Sequence, residues 1–378
     1  MFTMSGIYIH IPFCKQACYY CNFHFSTVLS YKEKLVQAIA KELFLRKTFL
    51  GNEPIQTIYI GGGTPSILLP EELDIVLNTL AKEFNLSALK EFTLEANPDD
   101  LTPEYLNYLN STPINRLSIG IQSFDDADLR FMNRAHLAED AKNCVKLAQD
   151  VGFNQISIDL IYGIPGLSLQ RWEDNLATAF NLQVQHISSY CLTIEPKTVF
   201  GNQLKNKQFI TASEELSEQQ FLSLINLAAA AGFEQYEIAN FAKNKAYALH
   251  NTQYWKGVNY LGVGPGAHSF CKNERSWNVS NNNQYIKDLG NNILPSEHEI
   301  LSLNNQYNEW VMTGLRTIWG LNLAEGLEKF GLNQMKYLQK QLQANMEANQ
   351  IINENGCLIL QPEARFLADG IASNAFMV

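Results

Sequence analysis

Ile7-Tyr8-Ile9-His10-Ile11 alternates as a β-strand does, and Cys14-Lys15-Gln16-Ala17-Cys18-Tyr19-Tyr20-Cys21 follows it almost at once. Three thiols within eight residues, set just past a strand, are the arrangement of a metal loop. A [4Fe-4S] cluster normally takes four thiolates, so three close ones offer a cluster with one iron open to an exchangeable ligand. Catalytic zinc sites keep a position open by the same logic. His24 follows at a workable spacing and would complete a Cys3His zinc set, so this segment alone leaves both metals in play.

Working outward, strands and helices alternate. A capping box, Ser30-Tyr31-Lys32-Glu33, predicts a helix with Leu35, Ala38, Ile39 and Leu43 on one face. Strands are predicted over 57–60, 91–96, 116–121, 155–161 and 186–194. The helices between them start at Pro70, at Thr102-Pro103, before Ala141, at Ser168 and at Glu214. Six βα units result. Crossovers of that length require parallel strands, so the chain reads as α/β, a partial (β/α)6 TIM-like barrel, with an open doubly wound sheet as the rival. Either architecture places the active site at the carboxyl ends of the strands, where the cysteine loop lies.

At 378 residues, 46% hydrophobic and 17% charged, the chain is globular and long enough for one large domain and a small one. Its net charge of −10 argues against nucleic acid as a partner held by the overall field. Residues 1–6 carry neither a basic nor an apolar region of a signal peptide, and no apolar run of about 18 residues suggests a membrane span. Clustered thiols then imply a reducing compartment, and the expectation is a cytoplasmic protein. Cys144, Cys191, Cys271 and Cys357 are scattered singly, as buried small apolar residues are.

An asparagine-rich stretch over 278–292 precedes a new apolar pattern near Glu299, which places a boundary at about 290: residues 1–290 form the barrel and its extension, 291–378 a second unit. That unit shows helices over 307–319 and 335–348. A hairpin signal follows at Asn355-Gly356, so the tail reads as a small winged-helix-like domain. Its few Lys and Arg residues make it a lid over the barrel rather than a DNA reader.

Gly61-Gly62-Gly63-Thr64-Pro65 follows the second strand without completing either common phosphate-loop pattern, so it allows close backbone approach to a ligand that need not be a phosphate. Together with Tyr8-x-His10-x-Pro12-Phe13-Cys14-x3-Cys18-x2-Cys21, Glu95-x-Asn97-Pro98, Gly120-x-Gln122-Ser123-Phe124 and Ile158-Asp159-Leu160-Ile161-Tyr162-Gly163-x-Pro165-Gly166, it resembles the radical S-adenosylmethionine (SAM) proteins of the oxygen-independent coproporphyrinogen III oxidase family. The resemblance implies a partial (β/α)6 barrel and favours iron-sulfur over zinc. It implies that Cys14, Cys18 and Cys21 hold a [4Fe-4S] cluster flanked by Tyr8 and Tyr20. Gly62, Gly63, Thr64 and Glu95 would contact SAM, and Gln122, Arg134 and Asp159 would line the same cleft.

Within that family the residues point to the heme chaperone branch. The oxidase branch resembles CxxxCxxCxC with a long N-terminal arm; here Phe23 takes the last cysteine's place and the motif begins near residue 1. His250-Asn251-Thr252-Gln253-Tyr254-Trp255 and Gly262-Val263-Gly264-Pro265-Gly266-Ala267-His268-Ser269 resemble the chaperone pattern instead. The expectation is a heme carrier rather than an enzyme, with heme on His250 and Tyr254 and Trp255 available for stacking. The acceptor would be an unidentified protein, and the reading allows a membrane-associated one. Rival readings are a coproporphyrinogen III oxidase, acting by oxidative decarboxylation in porphyrin biosynthesis, and a methylase on the same scaffold.

Overall fold

The computed structural model describes residues 5–51 and 53–377. Strands β1 (Ser5–Ile11), β2 (Thr57–Gly62), β3 (Glu91–Ala96), β4 (Arg116–Gln122), β5 (Gln155–Tyr162) and β6 (His186–Cys191) lie side by side and pair in parallel. Ile7, Ile9, Ile11, Ile58 and Ile60 are wholly buried, as strands covered on both faces require. Helices pack between them with the expected starts. Pro70 opens one; the Thr102 hydroxyl accepts from the Tyr105 amide at 3.2 Å ahead of Pro103; Ser168 caps another. The first helix departs from expectation. It runs Lys32–Leu45 with Tyr31 at its N-cap, and no side chain caps it. Tyr31 instead stacks near Phe13 and donates its hydroxyl to Ser26 at 3.0 Å, so core packing displaces the capping box.

The sheet extends beyond six strands. β7 (Glu234–Gln235) and β8 (Asn240–Ala242) continue it antiparallel beyond β6. On the other side β9 (Asn259–Val263) pairs parallel with β1, and β10 (His268–Cys271), β11 (Glu274–Asn278) and β12 (Ser296–Ile300) follow as an antiparallel meander. The twelve strands form an open, partial barrel with β12 and β7 at its edges, and every residue of β12 is exposed.

The asparagine-rich stretch is ordered. Helix Asn282–Gly290 sends Tyr285 and Leu289 into the main core. The Asn278 amide donates to both oxygens of Glu42, at 2.8 and 3.0 Å, and the Tyr285 hydroxyl donates to the same buried carboxylate at 2.5 Å. Arg46, four residues on, completes the set at 3.2 Å, so the buried carboxylate of the first helix is partnered both locally and from across the sequence.

A second core runs from Tyr307 to Ala375. It joins helices Leu303–Leu315, Leu323–Phe330 and Leu332–Glu347 to a three-stranded antiparallel sheet of β13 (Leu321–Asn322), β14 (Ile351–Glu354) and β15 (Cys357–Leu360). Glu354 pairs with Cys357 across Asn355 and Gly356, both at positive φ, 52° and 83°, which is the two-residue turn that Asn-Gly favours. Among the described residues no helix is long and apolar enough to cross a membrane.

Candidate functional site

A cavity of about 500 Å³ opens at the carboxyl ends of the parallel strands. Of the thirteen residues the sequence singled out, eleven line it: Cys14, Cys18 and Cys21 with Tyr20 from the loop after β1; Gly62 at the end of β2 with Gly63 and Thr64 just past it; Glu95, Gln122 and Asp159 on β3, β4 and β5; and Arg134 beyond β4. Tyr8 and His250 lie elsewhere.

The cysteine loop is fixed by its neighbours. The Cys14 amide donates to the Ser26 carbonyl at 3.1 Å, and the Tyr19 amide donates to that of Met132 at 3.1 Å. The glycine turn packs directly against it: a Cβ on Gly63 would lie 2.6 Å from the Phe13 carbonyl oxygen, and one on Gly62, at φ +112°, would strike the His10 ring. These glycines thus pack closely on Phe13 and His10, and Gly62 and Gly63 also line the cavity. His10 Nε2 faces the His24 carbonyl at 2.9 Å, so that nitrogen carries the proton and Nδ1 accepts from the Tyr8 hydroxyl at 3.1 Å. Burial holds His10 neutral, its pKa lowered to about 4. Tyr8 thus braces the loop from beneath rather than facing the cavity.

Two of the three thiols have a polar escort. The Thr64 hydroxyl donates to Cys14 Sγ at 3.4 Å and Arg134 Nη1 to Cys18 Sγ at 3.2 Å. Arg134 Nη2 also donates to the Asn97 side-chain oxygen at 2.7 Å and the Gly120 carbonyl at 2.6 Å, and Asn97 donates on to Thr64 at 3.2 Å. Asn97 therefore links both escorts; it sits in the Glu95-x-Asn97-Pro98 motif, yet the sequence suggested no role for it. Gln122 reaches the cavity through a break in the β4–β5 register, with its backbone at φ +70°. A Cβ on Gly120 would lie 2.9 Å from the Gln122 side-chain nitrogen, so a larger residue there would shift the Gln122 amide.

Glu95 accepts from the Tyr59 hydroxyl at 2.7 Å and the Gly62 amide at 3.0 Å. Burial still pushes its pKa up to about 7, partly offset by the Tyr59 bond, with Asp159 adding repulsion. Burial likewise raises Asp159 to about 6. Arg134 Nε is buried with no hydrogen-bond partner. The cavity therefore holds two carboxyls poised near neutrality and an unfilled donor, the signature of a ligand site.

The donor set fits an iron-sulfur cluster bound at three corners: three sulfurs on one wall, two already receiving hydrogen bonds, beside a polar cleft. His24 does not line the cavity with the three cysteines, and its Nε2 is engaged by the Asn282 side-chain oxygen at 2.7 Å. Among the described residues no three His, Cys, Asp or Glu side chains surround a single-ion site.

His250 sits on the helix Leu249–Trp255, at the amino ends of the strands, and is 1% exposed. The Thr57 hydroxyl donates to Gln253 at 2.9 Å, so it accepts from His250 Nδ1 at 2.8 Å; Nε2 in turn accepts from the Tyr254 hydroxyl at 2.8 Å. Burial lowers the pKa of this ring to about 3. In this arrangement neither nitrogen is open to iron.

A model of the radical SAM superfamily matches residues 8–179, and one of the HemN C-terminal domain matches residues 301–367. The heme chaperone HemW of Bacillus subtilis is 33% identical over 372 residues, which is 97% of this chain and 98% of the relative. This chain belongs to the HemW family of radical SAM proteins. HemW of Escherichia coli is 35% identical over 70% of this chain and 69% of its own length. The solved structure of the Escherichia coli coproporphyrinogen III oxidase HemN, a radical SAM enzyme, superimposes with a TM-score of 0.87, covering 99% of this chain and 90% of that one at 21% identity. That likeness establishes the fold, down to the small C-terminal domain; the HemW relatives establish the branch that the sequence motifs indicated.

Proposed function

We propose that this protein is a heme carrier on a radical SAM scaffold, with a [4Fe-4S] cluster on Cys14, Cys18 and Cys21 and SAM in the cleft beside them. The observation that carries the reading is the full-length kinship to heme chaperones, combined with Phe23 at the cavity mouth. Phe23 lines the cavity, 74% exposed, where the oxidase pattern has a cysteine. When bound, such a cluster supplies an open iron and one-electron chemistry.

The chain's own residues prepare that site. Arg134 sets a guanidinium against Cys18 Sγ and Thr64 a hydroxyl against Cys14 Sγ; burial pushes the Cys14 thiol up to about 11, and the Thr64 bond offsets part of that rise. Glu95, near neutrality in the ligand-free cleft, is placed to give up its proton when the amino group of SAM faces it. Heme is cargo in this reading, delivered to a partner protein in a reducing cytoplasm, and all seven cysteines are free thiols.

The test is anaerobic reconstitution followed by iron and acid-labile sulfide determination, hemin titration, and coproporphyrinogen III turnover with SAM and a reductant. Stoichiometric sulfide, hemin uptake and no decarboxylation are the expected results. Sustained decarboxylation would replace the carrier by an oxidase.

A further inference from the structure

A second cavity, about 810 Å³, lies between the barrel sheet and the C-terminal domain, within the range of small-molecule and cofactor sites. Tyr254, Tyr260 and Phe270 line it from the helix Leu249–Trp255 and strands β9 and β10, while Trp310, Met312 and Trp319 line it from the tail. The aromatic rings are arranged against one another: Tyr254 meets Tyr260 edge-on at 4.5 Å between centroids, and Tyr260 lies 6.5 Å from Phe270. Polarisable and aromatic walls on two sides accept a flat, apolar ligand.

The rim has the opposite charge to the chain. Lys256, Lys272, Arg275 and Lys329 line the cavity against two acids, Glu309 and Glu325, an excess of two positive charges in a protein of net charge −10. Glu309 is already taken up by Arg275 at 2.9 Å, in an ion pair between β11 and the tail. Lys256 lies over the Trp319 ring at 4.3 Å and Lys272 is exposed at the β10–β11 turn, so both can meet an anion. Trp255, also on the wall, buries an indole N–H with no acceptor. An apolar slot with spare cations and an unsatisfied donor matches a planar macrocycle that carries carboxylates.

We propose that this interdomain cavity is where the heme is held. The assignment rests on the carrier reading above, and it gives His250 a new part. His250 accepts the Tyr254 hydroxyl and so fixes one wall of the cavity; it is a positioning residue, not the iron's ligand. The first cavity, about 500 Å³, is left to the cluster and SAM.

The test is hemin titration of the reconstituted full-length protein, followed by quenching of tryptophan fluorescence and by the heme absorption band. Three of the five tryptophans line this cavity, so bound hemin should quench most of the emission. Lys256→Glu with Lys272→Glu, both at exposed positions, should weaken binding tenfold or more with the circular dichroism and cluster content unchanged. His250→Ala should weaken binding yet leave the absorption maximum of the bound heme in place. Hemin bound by the charge-reversed protein as tightly as by wild type overturns the site while leaving the carrier reading standing. A shifted maximum in His250→Ala overturns the positioning role. Wild-type protein that takes up no hemin overturns the carrier reading and this site with it.

Discussion

The two ends of the barrel use similar side chains to opposite effect. At the amino ends of the strands, Glu91 accepts from the Leu249 and His250 amides at 2.7 and 2.9 Å, His186 is held by Ser157 at 2.7 Å and Tyr236 at 2.8 Å, and His250 spends both nitrogens. At the carboxyl ends, Glu95 and Asp159 are driven toward their neutral forms and Arg134 keeps an idle N–H. Buried polar groups that are fully partnered hold a fold together; those left short of partners wait for something from outside. Among these carboxylates and histidines, position along the strand rather than residue type separates the groups that brace the fold from those that face the cluster cleft.

The contrast can be broken by experiment. The largest effect is expected at the carboxyl end: Cys18→Ala should abolish most cluster iron and sulfide after anaerobic reconstitution, with secondary structure retained in circular dichroism. Next comes Glu91→Ala, which removes two charge-assisted bonds and strands two helix N–H groups; a loss of about 2 to 3 kcal/mol in urea unfolding is expected. Glu95→Gln should cost far less, since the folded chain already disfavours the charge there. Equal losses for the two substitutions would erase the distinction.

The acid of the cleft also gives a pH signature. Its folded pKa, about 7, lies above the ordinary 4.5, so between those values the folded chain holds a proton that the unfolded chain has released. Ligand-free stability should therefore fall as pH rises from 4.5 to about 7 and then level off. SAM affinity should do the reverse, rising over the same interval by about tenfold for each pKa unit that the bound cation draws down. Calorimetry on wild type and Glu95→Gln checks both trends; the slope should be shallower in the variant, with Asp159, raised to about 6, keeping its share. The smallest effect belongs to Phe23→Ser: an exposed side chain, expected to change stability by no more than about 0.5 kcal/mol and to leave cluster content unaltered.

The sequence carried the parallel strands and most helix starts because they depend on short-range rules: Pro70, Thr102-Pro103 and Ser168 act within one turn. It did not reveal β9 to β12, which are short, rich in Gly, Ser and Asn, and stabilised by distant groups such as Glu42. The residues of the cleft were legible through motif order, but the means of reaching it were not. Gln122 depends on a register break, and Asn97 and Tyr59 act through partners 37 and 36 residues away. Tyr8 and His250 show the converse: motif positions whose side chains turn inward to brace other residues.

Because the sheet never closes, β12 presents an unpaired ladder of backbone groups to solvent. Its sequence is Ser296-Glu297-His298-Glu299-Ile300, so a second copy approaching strand against strand would meet acid with acid. Like charges along an exposed edge disfavour strand-on-strand association, the recourse of an open sheet whose edge geometry does not hide.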